Sequence, residues 1–265
     1  MKKIYYTFLL QLCCIGTYAQ HHLVLGLSGT QHQIKTDELN NFVSTFNDYY
    51  QANGFKPLSD FKANMQGIGF SAGYRLTAPN SFSLAMLYMF SKNAQDNHTT
   101  LALKSGYELN YRAKNHDFIF ELGYNIGGLV ILNGVFGICM RSNTMQVWKV
   151  YANGDKSLGY ENDINGHYQT PSFTMDYGGS IGLKLWRFYI PVRVTYGSTM
   201  FGKNSESVLT DFDTNRYRSN EFPKDYKLWL SSNTSYDEAN SIGQNEFVGM
   251  KISVGVEFMI PLGKK

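Results

Sequence analysis

Apolar and polar residues alternate at every second position over most of the chain, most plainly at its end. In 247–262, Val248, Met250, Ile252, Val254, Val256, Phe258, Ile260 and Leu262 fall on one face, and Gly249, Lys251, Ser253, Gly255 and Glu257 on the other. Successive strand side chains point to opposite sides, so this spacing predicts a strand with one wholly apolar face and one small or charged face. The same alternation predicts seven more strands, at 22–33, 65–76, 82–91, 99–112, 118–132, 172–186 and 189–198. In the second, Ile68, Phe70, Ala72, Tyr74 and Leu76 oppose Gly67, Gly69, Ser71, Gly73 and Arg75. In the fourth, Leu101, Leu103, Tyr107, Leu109 and Tyr111 oppose Lys104, Gly106, Glu108, Asn110 and Arg112. In the fifth, Phe118, Phe120, Leu122, Tyr124 and Ile126 oppose Glu121, Gly123, Asn125 and Gly127.

The segments between these strands alternate in length. Tight connections are expected at 77–81 (with Pro79-Asn80), 114–117 and 187–188, a modest one at 92–98, and long ones at 35–64, 133–171 and 199–246. Within the first long connection Leu39, Phe42, Val43, Phe46 and Tyr50 recur every three or four residues, which predicts a short amphipathic helix over the barrel mouth or, alternatively, a partner-binding helix. Asn153-Gly154-Asp155 marks a small hairpin in the second, and Pro191, which lacks a ladder donor, predicts a bulge or irregular start in the seventh strand.

One such strand would suit a soluble sheet. Eight, with loops sorted by parity, fit an all-β, antiparallel up-and-down barrel spanning an outer membrane, with short turns at the periplasmic end and long loops outside. Ten strands result if 133–168 adds a hairpin to the wall. Outward aromatic residues near strand ends, among them Tyr74, Phe82, Phe90, Tyr111, Phe118 and Phe258, would form the interfacial girdles.

Residues 1–19 have a basic start, an apolar stretch and small residues Thr17 and Ala19 before an expected cut at Gln20, which reads as a secretory signal peptide. Its apolar stretch of about 13 residues is short of the ~20 that cross a bilayer as a helix. Residues 20–265 are then one barrel domain. Leu12 before Cys13 argues against lipidation, and only Cys139 follows the leader, so neither a disulfide nor a cysteine-based zinc site is expected. Charged residues make up 17% and aromatics 15%, a mix that favours strands and argues against disorder. Without a basic run or basic-aromatic patch, no nucleic-acid partner is implied.

The charged residues placed inward are Arg75, Lys104, Glu108, Arg112, Glu121, Asp176, Lys184, Arg193, Lys251 and Glu257. An eight-stranded barrel is just wide enough for its own side chains, so these charges are expected to pair across the lumen and fill it. A gated pore is the alternative. His21, His22, His32, His98, His116 and His167 make no metal-site pattern, and no cofactor is expected. Ser91, Asp96 and His98 supply the residue types used by rim-active lipid enzymes, with no motif around them.

The chain resembles the small outer membrane barrels of the OmpA and OmpX type, in particular those of Bacteroidetes-type bacteria. The resemblance rests on the leader ending Tyr18-Ala19-Gln20, the Gly-x-Gly-Phe-x-Ala-Gly-Tyr-Arg-Leu stretch at 67–76, Phe188-Tyr189-Ile190-Pro191-Val192 and the closing strand; it departs in ending on Gly263-Lys264-Lys265, not on an aromatic residue. It implies a monomeric barrel inserted by the outer membrane assembly machinery. The expected role is non-enzymatic: structural, adhesive, or a subunit of an outer membrane complex, with outer membrane lipids and a protein bound by the outer loops as partners. A lipid A or phospholipid hydrolase or acyltransferase, and a narrow channel or small-molecule carrier, are the alternatives.

Overall fold

The computed structural model describes residues 19–34, 36, 40, 43, 44, 47, 56–100, 106–157, 166–199, 207–211, 241–245 and 249–262. Its strands are β1 (Gln20–Gln33), β2 (Asn64–Thr77), β3 (Ser81–Thr100), β4 (Gly106–Ile126), β5 (Val130–Val150), β6 (Lys156–Ser157), β7 (Gly166–Leu185), β8 (Phe188–Thr199), β9 (Ser207–Asp211), β10 (Ser241–Asn245) and β11 (Met250–Pro261). Eight of them form a closed antiparallel ring in the order β1-β2-β3-β4-β5-β7-β8-β11. The ring is sealed where β1 pairs with β11, Leu25 opposite Phe258, and where β5 pairs with β7, Phe136 opposite Tyr177. The expected strand count is the observed one, without a wall hairpin bringing it to ten.

The connection expected at 92–98 is wall, lying within β3 and paired to β4 throughout, and two further expected boundaries are wrong. The segments 99–112 and 118–132, with a turn at 114–117 between them, are not two strands: residues 106–126 run as β4 without interruption, Lys114 opposite Lys92 and Asp117 opposite Met89. Likewise, most of 133–171 is wall and not loop, because β5 continues to Val150 and β7 begins at Gly166. The two errors cancel in the count. The expected hairpin at Asn153-Gly154-Asp155 is the tip joining β5 to β6, with Gly154 at φ 89° and the Tyr151 N–H donating to the Asp155 carbonyl at 2.9 Å. Pro191 brings no bulge. The ladder to β11 lapses across Ile190 and Pro191 while the register is kept, Val192 opposite Val254 and Tyr189 opposite Glu257.

Three tight turns and both described termini share one end. Residues 78–80, 127–129 and 186–187 make these turns; Gly127 and Gly128 supply the positive φ the second one needs. Asn80 ties the first two together, its Oδ1 accepting from Gly127 N–H at 2.6 Å and its carbonyl accepting from the Tyr124 hydroxyl at 2.6 Å. At the other end the described residues of the 34–63 connection pack together. Ile34, Val43, Leu58 and Phe61 are buried, and Asn40 and Asn47 hold its two limbs together through hydrogen bonds to the backbone of Phe61 and Leu58. Asn40, Val43, Ser44 and Asn47 have helical backbone; the rest of the expected amphipathic helix lies outside the described residues, so no helix is established there.

Around the lower half of the ring the outer face is apolar. Leu25, Phe70, Met86, Phe120, Leu132, Ile181, Val194 and Val256, one from each strand, are all exposed. Their inward neighbours mix small, polar and charged residues with a buried apolar set that includes Val24, Leu87, Ile119 and Ile131.

Candidate lumen charge network

Arg75 on β2, Glu121 on β4, Arg193 on β8 and Glu257 on β11 each sit alone between outward apolar neighbours, and the closure of the ring aims all four at one point. Arg75 Nη2 reaches Glu121 Oε2 at 2.6 Å and Glu257 Oε2 at 3.4 Å; Arg193 donates through Nε to Glu121 Oε1 at 2.6 Å and through Nη2 to Glu257 Oε1 at 2.5 Å. The four form a cycle of alternating sign with no net charge, each nearly inaccessible. Asn133 and Ser180 also donate to the Glu121 carboxylate, at 3.4 and 3.3 Å. The remaining face of Arg75 lies 4.3 Å over the Tyr189 ring, a cation–π contact that suits a guanidinium whose Nε and Nη1 have no other partner among the described residues. Tyr189 fits because residue 182 is glycine; a Cβ there would stand 2.4 Å from the ring.

Val24, Ala85, Leu87, Met89, Ile119, Ile131, Val135 and Met259 form one buried apolar cluster with Tyr189, the ring under Arg75. Charges so withdrawn from solvent are stable only when each is met by a partner, as all four are here. Lys184 lies nearer the short-turn end, its ammonium donating to Gln20 Oε1 at 3.1 Å and Thr77 Oγ1 at 3.4 Å.

A second cluster stands nearer the long-loop end. Lys251 pairs with Asp117, and Arg141 Nη2 lies 3.5 Å from Asp176 Oδ1. Arg141 Nε also donates to Cys139 Sγ at 3.2 Å, and Thr174 Oγ1 to Asp176 Oδ1 at 2.9 Å. Asp117, Cys139 and Asp176 bring ligand-type atoms within 4.8 Å of one another, but Lys251 and Arg141 already supply the positive charge a cation would bring. Asp117 and Arg141 were absent from the sequence-based set because they fell in the supposed turn and loop. Their inward parity with Ile119 and Glu121, and with Val135 and Cys139, was the available signal.

Two members of the expected set are elsewhere. Glu108 and Arg112 share the outer face of β4 with Phe118 and Phe120, and Glu108 pairs there with Lys156 of the β5–β6 hairpin. The reason is that Tyr107, Leu109 and Tyr111, expected outside, are buried inward, Tyr111 edge-on to Phe61 at 6.0 Å. Lys104 lies outside the described residues. Of the lipid-enzyme residue types, Ser91 faces inward and accepts from Asn115 at 3.1 Å, while Asp96 has outward parity; the His98 side chain lies outside the described residues.

Comparison with protein-family models and with curated protein sequences gives no match. Among solved structures, the chain is similar to Ail, the attachment invasion locus protein of Yersinia pestis. That structure gives 8% identity, a TM-score of 0.41, and coverage of 91% of this chain and 99% of Ail. Ail in complex with the heparin analogue sucrose octasulfate gives 9% identity, a TM-score of 0.39 and the same coverage. The barrel assignment rests on the strand pairing of the chain itself.

Proposed function

We propose that the chain is an integral outer membrane β-barrel, exported by the leader at 1–19, whose role is non-enzymatic. Its lumen is a filled, ion-paired core, and its upper walls and loops are displayed outside the cell for structure, adhesion or assembly with a protein partner. Insertion by the outer membrane assembly machinery and contact with outer membrane lipids belong to the same proposal. The observation that carries it is the inverted polarity of the ring, with apolar side chains exposed on all eight strands around a buried cycle of two arginines and two glutamates. A soluble barrel would have the opposite arrangement, and a lipid-facing surface accounts for it at no cost in exposed apolar area.

Purified protein in detergent tests this reading. A folded barrel migrates differently before and after boiling on a denaturing gel, and in a planar bilayer its filled lumen passes no steady current. A monomer stable in water without detergent would overturn the membrane assignment. Steady conductance with normal insertion would replace the filled lumen by a pore.

A further inference from the structure

On the outer face of β3 and β4, basic residues lie immediately beyond the apolar belt. The belt ends there with Tyr88, Phe90, His116 and Phe118, a cluster in which the Tyr88 hydroxyl is hydrogen-bonded to His116 Nδ1 at 2.7 Å and Phe90 packs 5.1 Å from the His116 ring. In the next row Lys92 stands directly opposite Lys114, both exposed, and in the row after that Arg112 faces Ala94. Like charges directly opposite on neighbouring strands destabilise the pair. Among the described residues no carboxylate lies within salt-bridge distance of these three cations, and Arg112 Nε has no hydrogen-bond partner. The first acidic side chain of this face, Asp96, is two rows beyond the lysines.

Below the same cations the belt is indented. A groove of about 420 Å³ centred on these two strands and reaching β2 and β5 is lined by Ala72, Met86, Tyr88, Phe118, Phe120 and Ile138. Phe118 is four residues from Lys114, about 13 Å along the strand. An unneutralised cationic row at head-group height, one aromatic row, and an apolar groove descending from it form a single column.

We propose that this column binds a phosphorylated lipid of the outer leaflet, its phosphate on Lys92, Lys114 and Arg112 and an acyl chain in the groove. A soluble anion would use the cations and leave the groove empty, and an acidic protein would have to reach into the head-group layer. The lipid accounts for both halves of the column and relieves the Lys92–Lys114 repulsion. The inference rests on the outer membrane reading of the barrel.

The test uses the folded full-length mature protein in nanodiscs of phosphatidylcholine, alone or doped with diphosphorylated lipid A. Native mass spectrometry counts the lipid A retained after the disc is stripped, and gel mobility of the same samples reports folding. Wild type should retain lipid A. The double variant Lys92→Gln/Lys114→Gln should retain it about 30-fold less, the equivalent of ~1 kcal/mol per lysine. The single variants should fall between, and removal of Arg187, a cation on the opposite rim, should change nothing. Ala72→Phe, which fills the groove and leaves every charge in place, should also lower retention. Equal retention by wild type and the double variant overturns the proposal, and so does full displacement of the lipid by inorganic pyrophosphate, which would mark a plain anion site. Normal folding with no lipid discrimination removes this inference alone, whereas failure to fold in any disc removes the barrel reading with it.

Discussion

Along β4 the inward positions are odd-numbered from end to end, yet its two halves carry opposite chemistry. From Phe118 to Ile126 the outward side chains are Phe118, Phe120, Leu122, Tyr124 and Ile126, while Glu121 and Asn125 are buried within. From Tyr107 to Lys114 the outward positions hold Glu108, Arg112 and Lys114, with Asn110 buried among them and donating to Glu108 Oε1 at 3.1 Å, and the inward ones hold Tyr107, Leu109, Tyr111 and Ala113. The strand stays in phase and the solvent changes. In the proposed membrane setting the lower half meets lipid outside and the ion-paired lumen inside, while the upper half meets water outside and the buried Phe61 inside. A transmembrane strand needs only ~9–11 residues, and β4 has 21, so about half of it stands clear of the belt. β3, β5 and β7, at 20 or 21 residues, make the same tall wall, while β1, β2, β8 and β11, at 12 to 14, end close to the belt.

Substitutions in the two halves should separate these environments. The largest effect is expected at Glu121→Gln, which leaves Arg75 and Arg193 short of charge in a dry space; a loss of ~3–5 kcal/mol in unfolding free energy, followed by urea titration in micelles, is the expected outcome. Leu109→Ala, in the upper half, should cost ~2–5 kcal/mol as an ordinary core cavity and should show as faster amide exchange in 106–113. Leu122→Arg should cost ~2–4 kcal/mol in a bilayer because it puts a cation against lipid. The outward position Glu108, paired with Lys156 at the surface, should respond least: Glu108→Gln is expected to change stability by ~0–1 kcal/mol, which equilibrium unfolding in the same micelles checks. A large loss at Glu108 or none at Leu122 would erase the distinction between the halves.

This inversion also explains how much of the fold was legible. Where a strand has lipid on one side, alternation is enforced, and the outward sets of β2, the lower part of β4 and β11 could be read directly. Arg75, Glu121, Arg193 and Glu257 stood out as single charges between apolar neighbours. What alternation could not reveal was which of them would meet, because that depends on ring closure and strand stagger. At Asn115–His116 the apolar face changes sides, and in the sequence a change of side is indistinguishable from a turn that resets the phase. In the upper part of β5 the outward Ser142, Thr144 and Gln146 face water beside an inward Arg141, so neither side is uniformly apolar and the segment read as loop. Glu108 and Arg112 are misplaced by the same inversion, since polar residues in an alternating strand read as lumen whereas these two lie on the outer face.

The inversion within one continuous strand is tested most directly by nitroxide scanning of 106–126 in a Cys139→Ser background, with the protein in bilayers and accessibility read against oxygen and a water-soluble nickel chelate. Even positions should be accessible, to oxygen from 118 to 126 and to the nickel chelate at 108, 112 and 114, with odd positions protected from both and the two-residue period unbroken across 114–117. Oxygen-accessible labels at 107, 109 and 111, with the period reset between 114 and 117, would mean two lipid-facing strands joined by a turn and would contradict the structure described.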